Sequence, residues 1–94
     1  MQRVYLKGFI RVPAQDLAAV EAELPNHIEL TRAEPGCLEF RVEARAEAAG
    51  TFDVYECFAG RQAFDAHQAR VRASTWGQVS ANAEREYEVW EDTP

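Results

Sequence analysis

Apolar residues alternate with polar ones in three stretches of this chain and recur every third or fourth position in two others. The order of those stretches restricts the fold more than any other feature. Across residues 3–12, Val4, Leu6, Gly8, Ile10 and Val12 share one side and Tyr5, Lys7, Phe9 and Arg11 the other, the period of a strand. Pro13 closes that strand and opens a helix, where a missing N–H costs nothing in the first turn. The helix is expected over residues 14–33, with Leu17, Val20, Leu24 and Ile28 on its inner face at spacings of three, four and four. Pro25 falls in its middle and should kink or split it. The apolar phase continues across Pro25, so both halves face the same sheet. Glu34-Pro35-Gly36 ends the helix, with Gly36 free to turn left-handed.

Alternation returns over residues 37–44, where Leu38, Phe40, Val42 and Ala44 oppose Cys37, Glu39, Arg41 and Glu43. A polar loop to Gly50 follows, then a strand over residues 51–58 with Phe52, Val54, Glu56 and Phe58 on one side. Matching the apolar sides pairs Val42 with Phe52, Phe40 with Val54 and Leu38 with Glu56, and on the other side Arg41 with Asp53 and Cys37 with Cys57. A register slipped by two residues keeps the same faces. Residues 60–71 read as a second helix with Phe64, His67 and Val71 inward. Residues 74–77 read as a capped turn or short helix, and residues 86–91 as a last strand. Right-handed crossovers turn the order β-α-β-β-α-β into a ferredoxin-like α+β sandwich: a four-stranded antiparallel sheet with two helices on one face. One domain is expected over residues 1–94. Its outer sheet face carries Tyr5, Phe9, Tyr55 and both cysteines, an exposed patch that a second copy would cover, giving a homodimer through the sheet face.

The chain carries 10 Lys and Arg against 16 Asp and Glu, a net charge of −6. That balance disfavours nucleic acid and anionic membrane surfaces as partners. No apolar run approaches the roughly 20 residues of a membrane span, and the first residues alternate where a signal peptide would be continuously apolar. A cytoplasmic protein is expected. Two cysteines are too few for a disulfide framework or a zinc site, and free thiols are expected in a reducing compartment.

Three motifs, Glu34-Pro35-Gly36-Cys37-Leu38, Tyr55-Glu56 and Ala63-Phe64-Asp65-Ala66-His67, resemble in order and spacing the antibiotic biosynthesis monooxygenase-type domain, and the likeness covers nearly the whole chain. The resemblance implies a dimeric α+β barrel of two sheets packed face to face, with a pocket in each subunit between helices and sheet. It also implies oxidation of a small aromatic or quinol-type molecule by dioxygen with no metal, flavin or haem cofactor. Haem-degrading relatives use an Asn in the first strand. VYLKGFIR has none, so that activity is not carried over.

Glu56 stands where strand alternation calls for an apolar residue, and burial would raise its pKa towards the range useful for proton transfer. His67 lies on the inner face of the second helix, where an imidazole can take a proton from a phenol. These two are the expected catalytic residues, and a plain Glu56–His67 pair in a filled core is the structural alternative. Trp76, Phe64 and Phe40 are the expected substrate contacts, with ordinary core packing as their alternative. Tyr5, Phe9, Tyr55 and Trp90 are read as interface or edge residues, and His27, beside Pro25, as a surface residue. Two other functions stand beside the monooxygenase. One is a small-metabolite isomerase of the autoinducer-processing type, needing a polar pocket with a place for a phosphate, and a pocket lined by two or more of Arg32, Arg61, Arg70 and Arg72 would favour it. The other is a non-catalytic ligand-binding dimer.

Overall fold

The computed structural model describes residues 2–92. Strand β1 spans Val4–Arg11, and after a 3-10 turn at Ala14–Asp16 helix α1 spans Leu17–Arg32. Strands β2 (Cys37–Ala44) and β3 (Thr51–Phe58) form a hairpin, helices α2 (Arg61–Arg72) and α3 (Thr75–Val79) follow, and β4 (Glu84–Glu91) completes the sheet. The sheet order is β2-β3-β1-β4 and every pairing is antiparallel. This is the expected ferredoxin-like α+β arrangement.

The helix-facing layer holds Val4, Leu6, Ile10, Phe40, Val42, Phe52, Val54 and Phe58, all buried. Burial of a side chain of this size is worth roughly 1.5–3 kcal/mol, which makes this layer the main source of stability. Gly8 lies within it because a Cβ there would sit 1.9 Å from the Glu86 carbonyl oxygen of β4. Gly36 ends the α1–β2 connection at φ +87°, a conformation that strains other residues.

Three local expectations change. The hairpin register is shifted by two: Val42 pairs with Val54, Phe40 with Glu56 and Ala44 with Phe52. The turn decides this, through Arg45 N–H to Thr51 O (2.9 Å) and Thr51 N–H to Ala48 O (3.0 Å). Asp53 therefore pairs in charge with Arg45, and Arg41 instead lies over the Tyr55 ring at 5.0 Å. A bulge between Cys37 and Glu39 then pushes Leu38 out, where it is 49% exposed, and sets Cys57 opposite Glu39 instead of Cys37. Finally, α1 is one continuous helix with Pro25 inside it. Proline removes one backbone bond, yet Val20, His27 and Thr31 on either side of it are buried on the same stripe. Packing of that stripe holds the helix together.

That stripe also moves His27 from the expected surface to the interior, at 3% exposure. Val20, Leu24, His27 and Thr31 run at spacings of four, three and four, which is as coherent as the stripe through Ile28. On the other sheet face Tyr5 and Trp90 stack with ring centroids 5.4 Å apart, and Phe9 lies near the guanidinium groups of Arg11 and Arg45. Among the described residues no helix is long and apolar enough to cross a membrane.

Candidate functional site

His67 and Arg70 are one turn apart on α2, so both can reach a group lying against that face. That group is Glu34, brought there by the turn after α1. Its carboxylate accepts from His67 Nδ1–H at 2.8 Å through one oxygen and from Arg70 Nε–H through the other. Arg70 also donates to Thr31 Oγ1 at 2.9 Å, tying the network back to α1. With Nδ1–H donated to Glu34, a neutral His67 presents Nε2 as an acceptor. Burial lowers the His67 pKa, and the Glu34 hydrogen bond opposes that effect.

Nε2 faces Glu56 on β3, with 3.7 Å to Oε1, too long for a hydrogen bond. Glu56 is 6% exposed and its Oε1 has no partner. Burial, aided by the negative charge of Glu34, pushes its pKa up to about 7. The expected pairing of Glu56 with His67 is thus close in space but not closed, and the hydrogen-bond partner of the imidazole is Glu34. No local signal in the chain links positions 34 and 67, because 33 residues separate the two.

Glu56 and His67 share the wall of a cavity of about 50 Å³. Phe40 and Trp76 also line it, as do His27 and, from β4, Arg85 and Tyr87. A site of that size holds a few waters, since one needs roughly 10–15 Å³. Phe64 is not part of this wall: it is buried against Phe58, with centroids 5.9 Å apart, and serves the core. Trp76 is held by the N-cap of α3, where Ser74 Oγ accepts from Gly77 N–H at 3.1 Å. Its indole stacks on the His27 ring at 4.5 Å and 2°. Arg85 donates to the Ser80 carbonyl at 3.0 Å and to Ser80 Oγ at 2.7 Å, which fixes the floor below β4. The Tyr87 phenol is pushed up to about 12, chiefly by burial, although 37% of the residue is exposed.

None of Arg32, Arg61, Arg70 and Arg72 lines this cavity. Arg32 donates to the Phe40 carbonyl at the sheet edge, and Arg61 pairs with Glu91 at 2.6 Å. The arginine-lined pocket of an isomerase reading is absent here. Among the described residues no group of three or more His, Cys, Asp and Glu side chains converges to hold a metal ion.

A comparison with curated protein sequences gives no match. Solved structures do resemble the chain. A protein from Bacteroides thetaiotaomicron, described as a conserved protein of unknown function and possible oxidoreductase, is 17% identical with a TM-score of 0.80, covering 97% of this chain and 98% of that one. A Nitrosomonas europaea protein provisionally described as an antibiotic biosynthesis monooxygenase is 20% identical with a TM-score of 0.79, covering 97% and 89%. Rv0793 from Mycobacterium tuberculosis is 25% identical with a TM-score of 0.68, covering 98% and 94%. The family model for antibiotic biosynthesis monooxygenase matches residues 3–77, well over half of the chain. The fold, the motifs and that match together place this chain in the antibiotic biosynthesis monooxygenase family.

Proposed function

We propose that the protein is a cofactor-independent monooxygenase acting on a small phenol or quinol, with His67 as the base and Glu56 as the acid. The observation that carries this reading is the line Glu34–His67–Glu56. One carboxylate sets the imidazole tautomer, and the free Nε2 faces a second, unpartnered acid across a small cavity. Nε2 takes the hydroxyl proton of the substrate, and Glu34 stabilises the imidazolium that forms. The resulting phenolate is electron-rich and reduces dioxygen, forming a carbon–oxygen bond at the ring. Glu56, held in its acid form by burial, supplies the proton that the bound peroxide needs. Loss of the ring hydrogen and cleavage of the O–O bond leave one oxygen as a quinone carbonyl and release the other as water. The net change, phenol plus dioxygen to quinone plus water, balances without an external reductant.

Phe40 and Trp76 give the cavity two aromatic walls, and at about 50 Å³ it must widen to admit a ring. In this reading the protein works as a homodimer through the sheet face that carries Tyr5, Phe9, Tyr55 and Trp90. Its free Cys37 and Cys57 suit a reducing cytoplasm.

Oxygen uptake with a panel of mono- and dihydric phenols tests the activity. Wild type should consume oxygen above the buffer rate with at least one of them, and His67→Ala should lower kcat about 100-fold or more. Glu34→Gln should lower kcat with little change in KM, because Glu34 positions the base and does not touch the ring. No uptake by a folded protein, or equal rates for wild type and His67→Ala, would rule the activity out.

A further inference from the structure

His67 stands between two acids, and among the described residues Arg70 is the one arginine or lysine paired with either. Glu34 accepts from Nδ1–H, Glu56 lies 3.7 Å from Nε2, and Arg70 donates to the oxygen of Glu34 that His67 leaves free. A second bond aims the guanidinium: Nη2–H reaches the hydroxyl of Thr31 at 2.9 Å, and Thr31 is fully buried. Thr31 and Glu34 are three residues apart where α1 ends, as His67 and Arg70 are on α2, so the two turns meet with matched spacing. The side chains of Glu34 and His67 are 16% and 3% exposed, so water and salt screen their charges little.

A carboxylate this close to an imidazole ordinarily draws a proton onto it. An imidazolium has no lone pair left and cannot act as a base. The fork at Glu34 opposes that. One oxygen fixes the tautomer of His67 while the other carries a fixed positive charge, so the ring meets an acceptor of little net charge. We infer that Arg70 is a positioning residue that keeps His67 uncharged, by claiming the second oxygen of the carboxylate that orients the ring. Thr31 holds the guanidinium in that place. The balance of charge around the ring agrees: burial lowers the His67 pKa most, the bond and charge of Glu34 raise it, and the charge of Arg70 lowers it. Of the other groups facing the ring, Glu56 keeps its proton up to about 7 and His27, with its ring 6.3 Å away, is held neutral by burial. Arg85 and Tyr87 belong to the β4 wall of the cavity, where Arg85 is bonded to Ser80. None of these takes the place of Arg70 at Glu34. The inference rests on the proposed function for the use made of the base, and its test reads the charge of the ring with no substrate present.

Nitrogen-15 shifts of the histidine rings in the folded full chain, followed from about pH 5 to 9, report the charge and tautomer of His67 directly. Wild type should show a neutral ring at neutral pH with its proton on Nδ1. Arg70→Gln should bind the second proton at least tenfold more tightly. Arg70→Lys keeps the charge and loses the fork, and it should recover most of that difference. Should Arg70→Gln fail to fold, Glu34→Gln compared with Glu34→Gln/Arg70→Gln decides, because neither carries the ion pair: the ring of the second should hold its proton at least tenfold more tightly. A clasp between α1 and α2 with no effect on charge would lower the thermal stability of Arg70→Gln and leave the proton affinity of the ring unmoved. Equal proton affinities in wild type and Arg70→Gln or in the second pair, no recovery in Arg70→Lys, or a wild-type ring already charged at neutral pH would each overturn the inference. The expected titration without oxygen uptake by wild type would keep the role of Arg70 and remove the monooxygenase; uptake with an unmoved titration would do the reverse.

Discussion

Glu56 and His27 respond to pH in opposite senses, and each does so because it is buried. The folded chain holds the Glu56 proton up to about 7, whereas an unfolded chain releases it near 4.5. Its contribution to stability is complete below 4.5 and is lost as pH rises towards 7. The folded chain refuses a proton at His27 down to about 3, whereas an unfolded chain accepts one near 6.5. That contribution is complete above 6.5 and is lost as pH falls. Glu56→Gln removes the first effect while keeping the side chain's shape. It should stabilise the protein by on the order of 2–3 kcal/mol at pH 8 and leave it nearly unchanged at pH 4, read from urea unfolding at both pH values. An equal difference at the two would contradict the burial-driven shift. Sequence alternation alone singled out Glu56, because an acid interrupts an apolar face. His27 escaped the same reading because α1 has two overlapping stripes, and only packing shows that the one through His27 faces inward.

At the scale of the element, strands and helices were legible and their alignment was not. A period-two pattern depends only on which side chains alternate, and it survives a register shift of two residues unchanged. The β2–β3 register therefore rested on the Arg45–Thr51 turn, and the bulge at Leu38 on where that turn left the strand ends. Pro25 shows the same limit, since helix propensity argues for a break that tertiary packing overrides. The close approach at Gly8 is likewise a matter of two strands. Gly8→Ala would drive a Cβ into the backbone of β4 at Glu86. It should cost about 2 kcal/mol or more in chemical denaturation and raise hydrogen exchange in β4 before the rest of the sheet. A substitution cost near zero would show that β4 shifts freely.

At the scale of the whole molecule, the outer sheet face is the surface through which the proposed dimer would assemble. Tyr5 and Trp90 stack there, and Trp90 is 42% exposed. A large aromatic in such a position is the type of residue whose loss weakens an interface by about 2 kcal/mol or more. Light scattering after gel filtration should give a dimer for the proposed assembly, and Trp90→Arg should raise its dissociation constant at least tenfold. A wild-type monomer at micromolar concentration would exclude assembly through this face. The sequence by itself determined the order of elements, the composition of the two sheet faces, and the presence of an acid and an imidazole in the helix-facing layer, because periodicity is a local property of the chain. Only the tertiary structure decided that Glu34 holds His67, that Glu56 stays unpaired, and that His27, Arg85 and Tyr87 complete the cavity. Those relations join residues far apart in sequence, and the turns, the bulge and the packing that bring them together leave no periodic trace in the chain.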